Sequence, residues 1–174
     1  MEKQVTSHIV KGAILGAFSI LFSIIIYVFN LYTVKELSWL SYAVIVGGII
    51  YGNILYANQN GNNVSFGNIF AHGFKTTAVL IVISVVYTLL SLKVLFPDMI
   101  DKIIDMSRIE MEKNPKMTDE IIEQAITMTR KFFIPFAVGG VLIGTGFMGA
   151  IASLIGAGVA KKNPIDPFKK DIAQ

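Results

Sequence analysis

The chain has no cysteine. That absence excludes disulfides, thiolate nucleophiles and cysteine-ligated metals. Histidine is nearly as scarce: His8 and His72 stand far apart and show no H-E-x-x-H or paired-histidine spacing. Neither a P-loop nor a G-x-S-x-G turn occurs. With every recognised catalytic pattern missing, the sequence points to a non-enzymatic protein without a cofactor or bound metal.

Charge is thin as well. Charged residues make up 16% of the 174 residues, against about 25% in soluble domains. The net charge is +3, and the cations sit at the ends of apolar runs or in one mixed-charge loop. No basic stripe forms, which argues against nucleic acid as a partner. Four stretches contain no Asp, Glu, Lys or Arg: 12–34, 37–74, 76–92 and 132–160. A helix needs about 20 apolar residues to cross roughly 30 Å of hydrocarbon. The pattern predicts an all-α polytopic membrane protein with four spans, near 12–32, 37–57, 75–96 and 132–160.

The first apolar run follows Lys3 and Lys11, as a secretory signal would. It is longer than the usual region of about 7–15 apolar residues, and no small-x-small cleavage site follows Tyr32. It reads as a retained span. Span two carries Trp39 and Tyr42 near its start and Tyr51 and Tyr56 near its end, where amphipathic rings favour the interface. The few residues around Lys35 and Glu36 make spans one and two a hairpin. The run from Asn58 to Asn63 is a loop, because Asn and Gly accept turn conformations. Ser65 is placed to cap a helix that carries Phe66, Phe70 and Phe74 on one face and continues into span three. Lys11, Lys75 and Lys93 read as headgroup anchors.

From Asp98 to Lys131 lie eight of the twelve acidic residues and six basic ones. Apolar residues persist there at helical spacing, Asn114-Pro115 breaks the pattern, and Thr118 with Asp119 and Glu120 starts a second helix. This predicts an amphipathic helical hairpin over about 98–131, outside the bilayer. Asp98, Asp101 and Asp105 share a helical face; their spacing suits a divalent cation, and equally the solvated face of an amphipathic helix. Pro135 is expected in the first turn of span four, where a missing N–H costs little. Lys161 and Lys162 stop that span, and the tail from Asn163 to Gln174 is expected to be disordered.

An even number of spans puts both termini on one side. Lys3 and Lys11 before span one, with only Lys35 after it, predict that side to be cytoplasmic. The lysines after span four agree. The total over all loops, seven basic residues inside and eight outside, does not discriminate.

Small residues are the clearest local signal. Gly12 and Gly16, Gly48 and Gly52, and Gly140 and Gly144 each form a G-x-x-x-G pair. Glycine lets helix backbones approach closely where lipid supplies no hydrophobic drive. These pairs predict packing within one bundle, or a homo-oligomer through span four. Polar groups inside the spans include Asn53, Ser84, Thr88, Ser91 and Thr145, with no carboxylate to carry a proton relay.

Tyr51-Gly52, Ser65-Phe66-Gly67 with Phe70 and Gly73, Phe96-Pro97-Asp98, and the run from Ile151 to Ala157 ahead of Lys161-Lys162 resemble the family called domain of unknown function 4199. The resemblance covers nearly the whole chain. It implies a small four-span protein of the bacterial inner membrane, and it brings no functional residues with it. Family members often place basic residues before the Ser-Phe-Gly motif. Here Asn and Gln stand there, which removes a cue for a cytoplasmic second loop.

The expectation is one membrane domain over 1–174 that acts in the lipid bilayer through helix packing or partner binding. The alternative is a small permease or an oligomeric channel lined by Asn53 and the span-three hydroxyls.

Overall fold

The computed structural model describes residues 5–31 and 34–163, apart from the side chains of Lys35 and Ser38. All regular structure among the described residues is helical. Ser7 starts α1 (His8–Val28): its Oγ accepts from the Val10 N–H at 3.3 Å. The helix therefore begins one turn before the predicted Gly12, and ends before the left-handed Asn30 at φ 54°. Placing Lys11 at the headgroups put the predicted start too late. The predicted end at Tyr32 lies outside the described residues.

α2 (Lys35–Gln59) contains the predicted second span. Gly61 and Asn62, at φ 64° and 60°, turn the chain. Ser65 then caps α3 (Phe66–Leu90) by accepting from the Asn68 N–H at 3.3 Å. A π-helical turn (Ser91–Leu95) extends it and closes where the Phe96 N–H reaches the Ser91 carbonyl at 2.7 Å. Pro97 has no N–H to continue the ladder. α4 (Met99–Glu112) and α5 (Asp119–Gly140) flank the Asn114-Pro115 break, and Thr118 caps α5 as its Oγ1 accepts from the Ile121 N–H at 3.4 Å.

Span four departs from expectation. α5, a π-helical turn (Val141–Thr145) and α6 (Gly146–Val159) form one continuous helix of 41 residues. Pro135 therefore lies inside a helix and not in a first turn. The helix is already nucleated at Thr118, so Pro135 only removes one internal N–H, which membrane helices tolerate. Among the described residues four helices are long and apolar enough to span a membrane: His8–Val28, Trp39–Gln59, Phe66–Leu95 and Asp119–Val159.

The described residues form two compact units. The first joins Met1–Ile81 to Thr145–Gln174, and the second is Val82–Gly144. In the first unit α1, α2, the start of α3 and α6 pack together, with α2 lying chiefly along α6. Leu15, Ile49, Leu80 and Ala152 form one apolar cluster; Ala57, Ile69, Ala157 and Ala160 form another. Its fully buried positions include Asn53, Thr76, Thr77 and Ser153, while Ile14, Leu21, Tyr51 and Phe147 are more than half exposed. Small and polar side chains inside, with large apolar ones outside, are what helix packing in lipid selects.

The second unit is built on the α4–α5 hairpin. Ile104, Ile122 and Ile126 are buried against one another, with Ile100, Met111 and Met117 around them. Arg108 meets Glu123 at 2.8 Å and Arg130 meets Asp101 at 2.6 Å across the two helices. Asp98 pairs with Lys102 at 2.8 Å. Two carboxylates of the acidic face, Asp98 and Asp101, are thus paired with cations, and no cluster among the described residues has the makings of a metal site.

Candidate functional site

The seam between α2, α3 and α6 is closed by glycine. A Cβ on Gly156 would stand 2.9 Å from the Asn53 Cβ and 3.1 Å from the Ile50 Cα. One on Gly73 would stand 2.7 Å from both Asn53 Oδ1 and Ser153 Oγ. At Gly149 it would run into the Thr77 side chain. Real Cβ atoms do not come so near, so these helices meet at distances only a hydrogen on Cα allows. Three hydroxyls in the seam turn back onto their own helices: Thr76 donates to the His72 carbonyl, Thr77 to the Gly73 carbonyl and Ser153 to the Gly149 carbonyl. Asn53 Nδ2 crosses between helices and donates to the Ser153 carbonyl at 3.2 Å. Its Oδ1 is buried and has no hydrogen-bond partner among the described residues.

At one end of the seam sits a cationic cluster. Lys11, in the first turn of α1, is only 8% exposed and His72 on α3 only 7%. Lys11 Nζ donates to the Gly52 carbonyl at 2.9 Å and lies 3.0 Å from His72 Nε2. A charged ammonium can only donate, so Nε2 accepts and the ring proton is assigned to Nδ1. Tyr56 stacks on the His72 ring at 4.0 Å between centroids, and Lys11 Nζ stands 5.7 Å from the Tyr56 ring. The His8 ring meets His72 edge-on at 6.1 Å. A pocket of about 360 Å³ opens beside the cluster, lined by His8, Tyr56, Asn68, His72 and Lys75 among others.

Hydrogen bonds tie this end together. The Thr6 N–H donates to Gln59 Oε1 at 3.0 Å, and Gln59 Nε2 donates to Thr6 Oγ1 at 2.9 Å. The Asn163 N–H reaches the Asn62 carbonyl at 2.9 Å. The predicted tail is therefore anchored at Asn163, and residues 164–174 lie outside the described ones.

The sequence-predicted packing glycines separate into two groups. Gly12 approaches α3, where its Cβ would stand 2.7 Å from Val79 Cβ; Gly48 takes the Leu15 side chain; Gly52 lies against Lys11 Cδ; Gly16 is buried. Gly140 and Gly144 meet nothing within their own unit. Sequence reasoning missed the lysine–histidine contact, since it read Lys11 as a headgroup anchor and found no spacing that gave His72 a partner. A signal was present. His8-x-x-Lys11 and His72-x-x-Lys75 are two copies of one spacing at the starts of α1 and α3, and three residues apart on a helix share a face.

No curated protein and no solved structure matches the chain. A family model described as protein of unknown function (DUF4199) matches residues 11–162. The match takes in the glycine seam, Lys11 and His72, and the α4–α5 hairpin, and the chain belongs to that family.

Proposed function

We propose that this is a non-enzymatic protein of the bacterial inner membrane, with cytoplasmic termini, that acts as a packed helical scaffold. The glycine seam supports the reading. A chain that commits Gly12, Gly73, Gly149 and Gly156 to backbone approach, and turns its buried hydroxyls onto helix carbonyls, invests in rigid assembly. Gly140 and Gly144, open within their own unit, offer a second copy the same close contact. The test is self-association in a mild detergent. Gly140→Ile with Gly144→Ile should lower the oligomeric mass while leaving thermal unfolding of the monomer unchanged. An unaltered mass would count against a scaffold built through span four.

The buried Asn53 Oδ1 favours a second reading, a small permease, because it has no hydrogen-bond partner among the described residues and lies inside the bundle. Solute flux into liposomes that is lost in Asn53→Leu would support it. No flux over a broad solute panel would remove it.

A further inference from the structure

Among the described residues the lysine–histidine cluster has no counter-charge beside it. Among the described residues of the first unit the sole carboxylate is Glu36, at the start of α2. The cluster sits against Gly52, 16 residues further on, or about 24 Å along the helix. Lys11 is held by a backbone carbonyl, a neutral imidazole and the Tyr56 ring, none of which carries a formal negative charge. A buried cation left so is costly, and an anion held nearby lowers that cost through the low-dielectric interior without touching it.

The pocket is shaped to admit one. Its volume, about 360 Å³, lies at the lower end of the ~300–1,000 Å³ typical of small-ligand sites. His8, His72 and Lys75 converge on it from two helices, and Asn68 adds a neutral donor. Lys11 does not line the pocket but stands behind His72, donating to Nε2 and so leaving the Nδ1–H as the ring's donor. Charge-assisted donors of this kind are strongest toward an oxyanion. The depth also fits. The helix from Phe66 to Leu95 has 30 residues and is about 45 Å long, some 15 Å more than the hydrocarbon core. His72 and Lys75 lie within its first three turns, and His8 and Tyr56 within the first and last turns of their helices, the ends that excess length carries toward the headgroups.

We propose that the pocket bounded by His8, His72 and Lys75, backed by Lys11, binds a phosphate-bearing anion at the membrane interface. The same chemistry is offered by a phospholipid headgroup and by free phosphate. Lys75 is an exposed direct contact, His72 a direct contact, and Lys11 a positioning residue that acts through His72.

The test is thermal unfolding of the full chain in dodecyl maltoside, titrated in parallel with dioleoyl phosphatidylglycerol, with a neutral galactolipid of equal chain length, and with inorganic phosphate against chloride at equal ionic strength. Stabilisation by phosphatidylglycerol alone assigns the site to a lipid phosphodiester. Stabilisation by inorganic phosphate as well assigns it to a small anion that enters from water. In either case Lys75→Gln should weaken half-saturation by about tenfold, the loss of one charge-assisted contact. Lys75 is on the surface, so this variant folds, and Lys93→Gln, a cation in the other unit, should leave half-saturation unchanged. Lys11→Met should weaken it too, and Lys11→Met with Lys75→Gln no further than the two effects combined. Equal stabilisation by galactolipid and phosphatidylglycerol, no stabilisation by any phosphate, or an undiminished response in Lys75→Gln would each overturn the proposal.

Discussion

Lys11 and His72 are 61 positions apart in the chain, yet Nζ and Nε2 meet at 3.0 Å in the buried end of the bundle. The contact makes the two residues unequal under mutation. His72→Ala removes the ring that Tyr56 stacks on and leaves a buried ammonium with one acceptor fewer. Unpairing a buried charge costs about 3–5 kcal/mol, whereas removing the charge itself with an apolar side chain of similar length is often neutral. Denaturation in detergent should therefore show His72→Ala far less stable than Lys11→Met. The double variant should be more stable than His72→Ala alone. Simple additivity of the two losses would mean that the pair does not interact.

Gly149 and Thr77 set the distance between α6 and α3. Gly149→Ala places a methyl against the Thr77 side chain and should cost about 1–3 kcal/mol, the usual range for overpacking. Thr77→Ser drops the methyl group in the way and should recover part of the loss. Gly140→Ala, where nothing stands nearby within its unit, should fall within about 0.5 kcal/mol of the parent. The melting temperatures of the four proteins in one detergent decide the matter.

In the hairpin, charge and core make separable contributions. Ile122 is 3% exposed, and Ile122→Ala should cost about 2–4 kcal/mol. The Arg108–Glu123 and Arg130–Asp101 pairs are solvated, so Arg108→Ala and Arg130→Ala should each cost under about 1 kcal/mol. Amide hydrogen exchange over residues 99–131 would reveal the contrast. Equal losses of protection would show that the ion pairs hold the hairpin.

The Asn163–Asn62 hydrogen bond puts the second loop and the end of α6 on one face of the membrane. In this cysteine-free chain, single cysteines at Asn62 and Lys161 should thus label alike with an impermeant thiol reagent in whole cells, whatever the orientation. Cysteine at Glu112 should label when they do not. Labelling of 62 without 161 would contradict the bundle. Labelling of both without 112 would retain it and place the hairpin in the cytoplasm.

Much of this fold can be read from the chain because lipid imposes long apolar periods and water imposes caps. The charge-free runs, Ser65, Thr118 and Asn114-Pro115 all act over a few residues and lie where expected. Pro135 misled because a proline near the start of an apolar run resembles a helix start, whereas the true start, Thr118, belongs to the amphipathic segment. The cluster was hidden for a different reason. Lysine ahead of a span ordinarily keeps its charge in water, and only the return of α3 beside α1 encloses Lys11. Likewise Asn53 reads as a polar residue late in span two, and its acceptor on α6 is a backbone carbonyl that no side-chain pattern announces.

That last bond has a temporal side. Asn53 and the Ser153 carbonyl it meets are separated by 100 residues. At a synthesis rate of roughly 5–20 residues per second, about 5–20 s pass between the making of the two. During that interval the second span must sit in the membrane without the helix it packs on most. Gly156, whose bare Cα gives Asn53 room, is made later still. Closure of the seam thus waits on nearly the last helical residues, and a ribosome that stalls before α6 would leave a polar amide facing lipid, open to the insertion machinery or to a protease.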